Sequence, residues 1–173
     1  MLTLRPARPT DTAALLELIR ALASYERLLD QVDATLPGLE SALFGATPRV
    51  FADVAEWHGE GQTETAGFAL WFYNFSTFRG RHGIYLEDLF VRPEFRGRGI
   101  GKALLQNLAA RCVDEGLARL EWAVLDWNTP ARKFYESLGA CGLTEWVPHR
   151  LTGEALQQLG ARATRASRVP PPP

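Results

Sequence analysis

Arg96-Gly97-Arg98-Gly99-Ile100-Gly101-Lys102 is the part of this chain where backbone alone could do chemistry. Three glycines at alternate positions stand between a strand-forming run and a helix-periodic one. The first N–H groups of that helix and the positive end of its dipole therefore point outward. Such a turn can cradle a pyrophosphate, because glycine has no Cβ to hold a phosphate oxygen away and adopts positive φ readily. The same residues also read as a flexible, solubilising, Arg-rich turn. Two other phosphate loops fail by counting. A dinucleotide GxGxxG starting at Gly97 needs glycine at 102, where Lys102 stands. A nucleoside-triphosphate loop ending in Gly101-Lys102 needs glycine at 96 and Ser or Thr at 103, where Arg96 and Ala103 stand.

The second chemically usable cluster is Glu87-Asp88, set inside the apolar run Ile84 to Val91. Partial burial would raise the pKa of Glu87 and suit it to act as a base, directly or through water, while alternation would turn Asp88 to the other side of the strand. Either carboxylate also reads as a strand-end salt-bridge partner. His82, alone in the preceding loop, reads as exposed.

The elements that must position these groups follow from periodicity. Leu2 to Arg5 alternates as a short strand closed by Pro6 and Pro9, and Thr10 is placed to cap a helix with Ala14, Leu15, Leu18, Ile19 and Leu22 on one face, running to about Tyr25. A shorter helix runs from Pro37 to Gly45. Arg49 to Ala55 and Thr65 to Tyr73, separated by the polar segment His58 to Glu64, form a hairpin, and Gly80 to Gly83 is a loop before the strand Ile84 to Val91. Ile100, Leu104, Leu108 and Cys112 mark a long core-facing helix stopped at Gly116. Then come a strand Arg119 to Leu125, a helix opened by Asn128-Thr129-Pro130 and ended by Gly139, a last strand Glu145 to Leu151, and a short helix Thr152 to Leu159. Residues 1–160 are expected to form one domain, and residues 161–173, rich in Arg and Pro, a disordered tail.

Length and composition bound the function. The 173 residues suit one domain, and 46% hydrophobic with 23% charged residues lies outside the regime of disorder. Nineteen Lys and Arg against twenty Asp and Glu leave a net charge of −1, so no bulk field favours nucleic acid or anionic lipid. No apolar run approaches the roughly 18–20 residues that span a bilayer, and the opening MLTLRPARPTD has no apolar stretch of a secretory signal, so the expected location is the cytoplasm. Cys112 and Cys141 lack metal-site spacing and read as core or half-buried thiols; no metal is expected.

Strand, Arg-Gly-x-Gly-x-Gly, helix resembles the acetyl-coenzyme A loop of the GNAT acetyltransferases. Tyr85-Leu86-Glu87-Asp88 before that turn, Trp127-Asn128-Thr129-Pro130, Phe134-Tyr135 and Leu138-Gly139-Ala140 after it, and Tyr25-Glu26 near the first helix end resemble the diamine acetyltransferase branch, which includes spermidine/spermine and thialysine acetyltransferases. The resemblance extends to about Leu159. It implies an α/β (α+β) GNAT fold: a mixed, mostly antiparallel central sheet of about six to seven strands, flanked by four to five helices. It also implies an N-acetyltransferase that moves acetyl from acetyl-coenzyme A to a primary amine of a small molecule by direct attack in a ternary complex, without metal, as a homodimer. A binding-only module, or acetylation of a protein N-terminus or lysine, are the competing readings.

A lysine-like amine with pKa near 10.4 is only roughly 0.1% neutral at physiological pH, so the site must help remove a proton. The resemblance assigns that task to Glu87 and proton donation to the leaving thiolate to Tyr135, which by itself reads as a packing residue beside Phe134. It assigns backbone contacts with the coenzyme and its carbonyl oxygen to Leu89, Phe90 and Val91 beside a strand bulge. The cradle comprises Gly97, Arg98, Gly99, Ile100, Gly101 and Lys102, with Asn128 and Phe134 beyond it; Asn128 is also a helix cap. Arg92 and Arg96 are either solvated or reach the adenosine phosphate. On the amine side stand Tyr25, Glu26, Glu87, Asp88, Glu121 and Trp122. The polyamine enzymes carry an acid beside an aromatic where this chain reads Asn74-Phe75-Ser76-Thr77-Phe78-Arg79, which favours a thialysine-like amino acid or short diamine over spermine. Trp122, Trp127 and Trp146 are either core or subunit contacts.

Overall fold

The computed structural model describes residues 1–163. The expected tail therefore lies, from residue 164 onward, outside the described residues. The chain divides after Leu125 into two compact units. The first contains β1 (Leu2–Pro6), α1 (Thr12–Tyr25), α2 (Leu36–Phe44), β2 (Phe51–Gly59), β3 (Gln62–Ser76), β4 (Arg81–Val91), α3 (Ile100–Asp114) and β5 (Leu120–Trp122).

The five strands make one sheet in sequence order. β1 to β4 pair antiparallel and β5 joins β4 in parallel after the α3 crossover, the connection a parallel pair requires. The expected hairpin is β2–β3, and its turn residues Glu60 and Gly61 both have positive φ, at 47° and 79°, as a two-residue turn between right-twisted strands needs. One face of the sheet presents Ala52, Val54, Phe68, Leu70 and Phe90 to Leu15 and Leu18 of α1 and Leu43 of α2. Fully burying a side chain such as Phe68 stabilises the fold by about 1.5–3 kcal/mol. The other face carries Trp71 and Asp53, over which α3 lies: Trp71 Nε1 donates to Asp53 at 3.0 Å, Asn107 of α3 donates to it at 3.4 Å, and the Arg111 guanidinium sits 4.9 Å from the Trp71 ring centroid.

The start of α1 differs from the expected Thr10 cap. Pro9 to Asp11 form a tight 3-10 turn; Asp11 accepts from the Arg8 N–H at 2.7 Å and is gripped by Arg5 at 2.6 and 2.9 Å. The Arg5 guanidinium holds the Asp11 carboxyl below its ordinary range. α2 starts where expected, with Thr35 accepting from the Gly38 N–H at 3.3 Å.

The second unit, from Asp126, contains α4 (Thr129–Ser137) and α5 (Gly153–Ala161). Asn128 caps α4, accepting from the Ala131 N–H at 3.3 Å. Among the described residues five strands form rather than six to seven, and one of the five is shorter than expected. Residues 145–151 are exposed and form no strand, since the described part of this unit has no other strand to pair with them. The expected strand Arg119 to Leu125 shortens to Leu120–Trp122, because its pairing with β4 ends where β4 becomes irregular.

Candidate active site

That irregularity is a β-bulge. Leu70 of β3 stands opposite Asp88 and the next residue, Trp71, opposite Leu86, so Glu87 is an extra residue in β4. Without it Leu86 and Asp88 would share a face. With it, Leu86 joins Trp71 on the α3 side, while Asp88 joins Leu70 and, one pleat on, Phe90 on the α1 side. Glu87 is exposed, and Asp88 is half-buried. The Asp88 carboxyl is pushed up to about 6, mainly by burial and then by the negative charges of Glu87 and Glu26. Burial also raises Glu26, the residue after α1. The expected partial burial of Glu87 is therefore corrected: the extra residue breaks the alternation, and Asp88 is the half-buried carboxylate.

Beyond Leu86 the β4–β5 register stops, so among the described residues Glu87 to Val91 have no strand neighbour on that edge. Leu89, Phe90 and Val91 lie there, next to the glycine turn. Gly97 and Gly99 have φ of 75° and 78°, a region that costs other L residues roughly 1–2 kcal/mol, and a Cβ built on either meets nothing within 4 Å. A solvent-open, positive-φ turn at the start of a helix is compatible with a phosphate cradle. Gly99 is the N-cap of α3, Ile100 is buried beneath it, and Gly101 and Lys102 form the first helical turn with Lys102 exposed. The Arg98 side chain is turned back onto the fold, 4.9 Å from the Trp57 ring centroid and 5.3 Å from that of Phe95. What Arg98 offers a ligand is therefore its backbone.

Two arginines are held in ways the sequence did not reveal. Arg92 Nε donates to the Thr65 carbonyl at 3.0 Å and its terminal nitrogen lies 3.5 Å from Glu17. Arg96 Nε donates to the Val91 carbonyl at 3.0 Å, and its guanidinium lies 5.1 Å from the Tyr25 ring centroid and 5.5 Å from that of Phe90. Tyr25, Glu26, Asp88, Phe90, Val91 and the turn are thus connected through the first unit. Glu121 and Trp122, on β5, are half-buried; Glu121 lies 2.8 Å from Arg119 Nε and accepts from Asn74 at 2.7 Å. In the second unit, Asn128 is buried, and Phe134 and Tyr135 are half-buried on α4 with ring centroids 5.4 Å apart. Cys112 is buried and Cys141 exposed, the latter against expectation because it follows α4 in an exposed segment.

The acetyltransferase (GNAT) family profile matches residues 14–140, from α1 through the glycine turn to the end of α4. The chain belongs to the GNAT acetyltransferase family. Curated GNAT relatives include the thialysine N-epsilon-acetyltransferase of Bos taurus, 40% identical over 166 residues, covering 92% of this chain and 97% of the relative. The L-ornithine N5-acetyltransferase NATA1 of Arabidopsis thaliana is 34% identical over 197 residues, covering 90% of this chain and 86% of that protein. Among solved structures, an integron cassette protein from the mobile metagenome of V. cholerae is 26% identical with a TM-score of 0.74, covering 92% of this chain and 97% of that one. The protein is an N-acetyltransferase with the expected GNAT fold class. Among the described residues no helix is long and apolar enough to cross a membrane.

Proposed function

We propose that the protein acetylates a primary amine of a small molecule, using acetyl-coenzyme A bound along the glycine turn and the open edge of β4. GNAT membership supports the acetyl donor, and the relatives that act on thialysine and ornithine support a small amine acceptor. The donor supplies an activated acyl group when bound. The backbone amides of Gly97 to Lys102 hold its phosphates, and the strand edge at Leu89 to Val91 hydrogen-bonds its extended arm as an added strand would. Asn128 and Phe134 contribute further contacts to the same molecule.

The observation that carries the acceptor side is the register skip at Glu87, which sets Asp88 on the α1 face near Glu26. Carboxylates there attract an ammonium group. Asp88, whose proton affinity lies near physiological pH, is the better-matched base to take the proton. Glu87, exposed beside it, adds negative charge at the entrance. Tyr135 protonates the departing thiolate, and Tyr25 supplies apolar surface for the acceptor's stem; Trp122, paired with Leu86, lies on the α3 side of the sheet instead.

Acceptor length follows from which acids are already used. Glu121 is paired with Arg119 and Asn74, and Arg79 lies in the turn after β3, so the second cationic group of a long polyamine gains little here. A thialysine-like amino acid or short diamine is the preferred substrate, with its side-chain amine pKa lowered by sulfur in the thialysine case. Steady-state kinetics with thialysine, lysine, putrescine and spermidine, with product masses identified, tests this. The first or a short diamine should have the highest kcat/KM. Spermidine ahead by tenfold would overturn the length argument, and acetylation of peptide termini but of no free amine would overturn the reading.

The enzyme is proposed to act in the cytoplasm as a homodimer, with residues 1–160 as its catalytic domain. Exposed Trp146 and Val147 in the second unit support a subunit contact. Light scattering at micromolar concentration distinguishes dimer from monomer.

A further inference from the structure

Arg96 touches both halves of the chemistry. It is the first residue of the glycine turn, yet its guanidinium is spent on the acceptor side, over Tyr25 at the end of α1 and over Phe90 on the α1 face of β4. Its Nε is bound to the carbonyl of Val91, the last residue of the β4 edge. A planar guanidinium can stack on rings while donating in its own plane, and a lysine ammonium cannot do both. Tyr25 is partly exposed, and Glu26, next to it in sequence, is one of the carboxylates that act on Asp88.

We infer that Arg96 is a positioning residue for the amine acceptor: it clamps Tyr25, and with it the Glu26 end of α1, against the β4 edge. Its charge is not aimed at the coenzyme phosphates. The inference rests on the assignment of the turn to coenzyme and of Tyr25 and Glu26 to the amine.

A double-mutant cycle tests it, with Arg96→Ala, Tyr25→Ala and both, assayed separately for the amine and acetyl-coenzyme A, and with melting curves for each variant. One exposed cation–π pair corresponds to a few-fold effect, so Arg96→Ala should raise the amine KM by about fivefold and leave the coenzyme KM within about twofold. The double variant should be no worse than the poorer single one. Arg96→Lys retains the charge and is the variant to use if Arg96→Ala does not fold; it should resemble Arg96→Ala on the amine side. A coenzyme KM that rises alone, single effects that multiply in the double variant, or full rescue of the amine KM by lysine would each overturn the clamp. If the wild-type protein neither binds acetyl-coenzyme A by calorimetry nor acetylates any amine, the underlying assignment falls and the clamp with it.

Discussion

The turn at Gly97–Lys102 offers a ligand its backbone, whereas the bulge at Glu87 offers side-chain charge, and the two adjoin through Arg96, Phe90 and Val91. In the proposed coenzyme site the turn presents its amides to the ligand, which leaves its side chains free for other work; Arg98 uses its own to stack on Trp57 and Phe95. At the bulge, the backbone irregularity decides which carboxylate is turned toward α1, and the proposed base is that one side chain. The turn should therefore tolerate most substitutions except at its glycines. The bulge should tolerate few at Asp88 and more at Glu87.

Asp88 provides the largest expected effect. Asp88→Asn keeps the size of the side chain and removes the base, and general-base loss typically costs 10²–10⁴-fold. kcat/KM for the amine should fall by about that much, while Glu87→Gln should cost less than about tenfold. The pH profile separates the two further. In the wild type, the rate should rise with pH until it bends near 6, where Asp88 ionises. The bend should persist in Glu87→Gln and vanish in Asp88→Asn. Equal losses in the two variants would break the distinction between an exposed and a half-buried carboxylate.

That distinction marks how far the sequence was legible. The helix over Ile100 to Cys112, the β2–β3 hairpin and the Asn128 cap all follow from local periodicity and turn chemistry, and the structure has them. The glycine turn was readable as the turn that opens α3 because its positive-φ conformation is carried by residue types at fixed spacing. Which of Glu87 and Asp88 is turned inward was not, since a bulge was implied by the resemblance but its position was not, and a single inserted residue changes the face of every residue after it. The clamp by Arg96 joins residues 25, 90, 91 and 96, and no local pattern connects the end of α1 to a turn about seventy residues later. The missing strand at 145–151 shows the converse failure: among the described residues this local pattern forms no strand, and none pairs with it.

The glycine side gives the next largest effect. Gly99→Val imposes a β-branched side chain on φ of 78° and puts it into the open space beside the turn. Acetyl-coenzyme A affinity by calorimetry should fall at least about tenfold, and the melting temperature should also drop, because roughly 1–2 kcal/mol of backbone strain is added. Gly99→Ala should show the same strain with a smaller loss of affinity. Unchanged coenzyme binding in both would break the cradle assignment.

Stability against pH gives a smaller effect of opposite sign to the usual carboxylate. Asp88 has an ordinary pKa of 3.8 when unfolded and about 6 when folded, so between those values the native state holds the proton that the unfolded state has lost. Its contribution to stability is therefore present at and below about pH 4 and is lost as pH rises to about 6. Relative to Asp88→Asn, the wild-type melting temperature should decline across that window. A parallel pair of curves would show that Asp88 is not buried as described.

The smallest effect belongs to Arg98, and it tests whether the turn spends its side chains on the fold. The guanidinium lies over two rings that themselves pair at 6.3 Å, linking the glycine turn to β2 through Trp57. A cation–π contact at such an exposed position is worth about 0.5–1 kcal/mol. Arg98→Ala should therefore lower stability by about that amount, measurable by chemical denaturation, while the KM for acetyl-coenzyme A stays within about twofold. Trp57→Leu should cost more than Arg98→Ala, since it also removes the ring pairing with Phe95, and Arg98→Ala should cost less in its presence, because only the Phe95 contact is then left to lose. If instead Arg98→Ala leaves stability unchanged and raises the coenzyme KM more steeply at low salt than at high salt, the side chain faces the phosphates in solution, and the division between a backbone site and a side-chain site no longer holds at this residue.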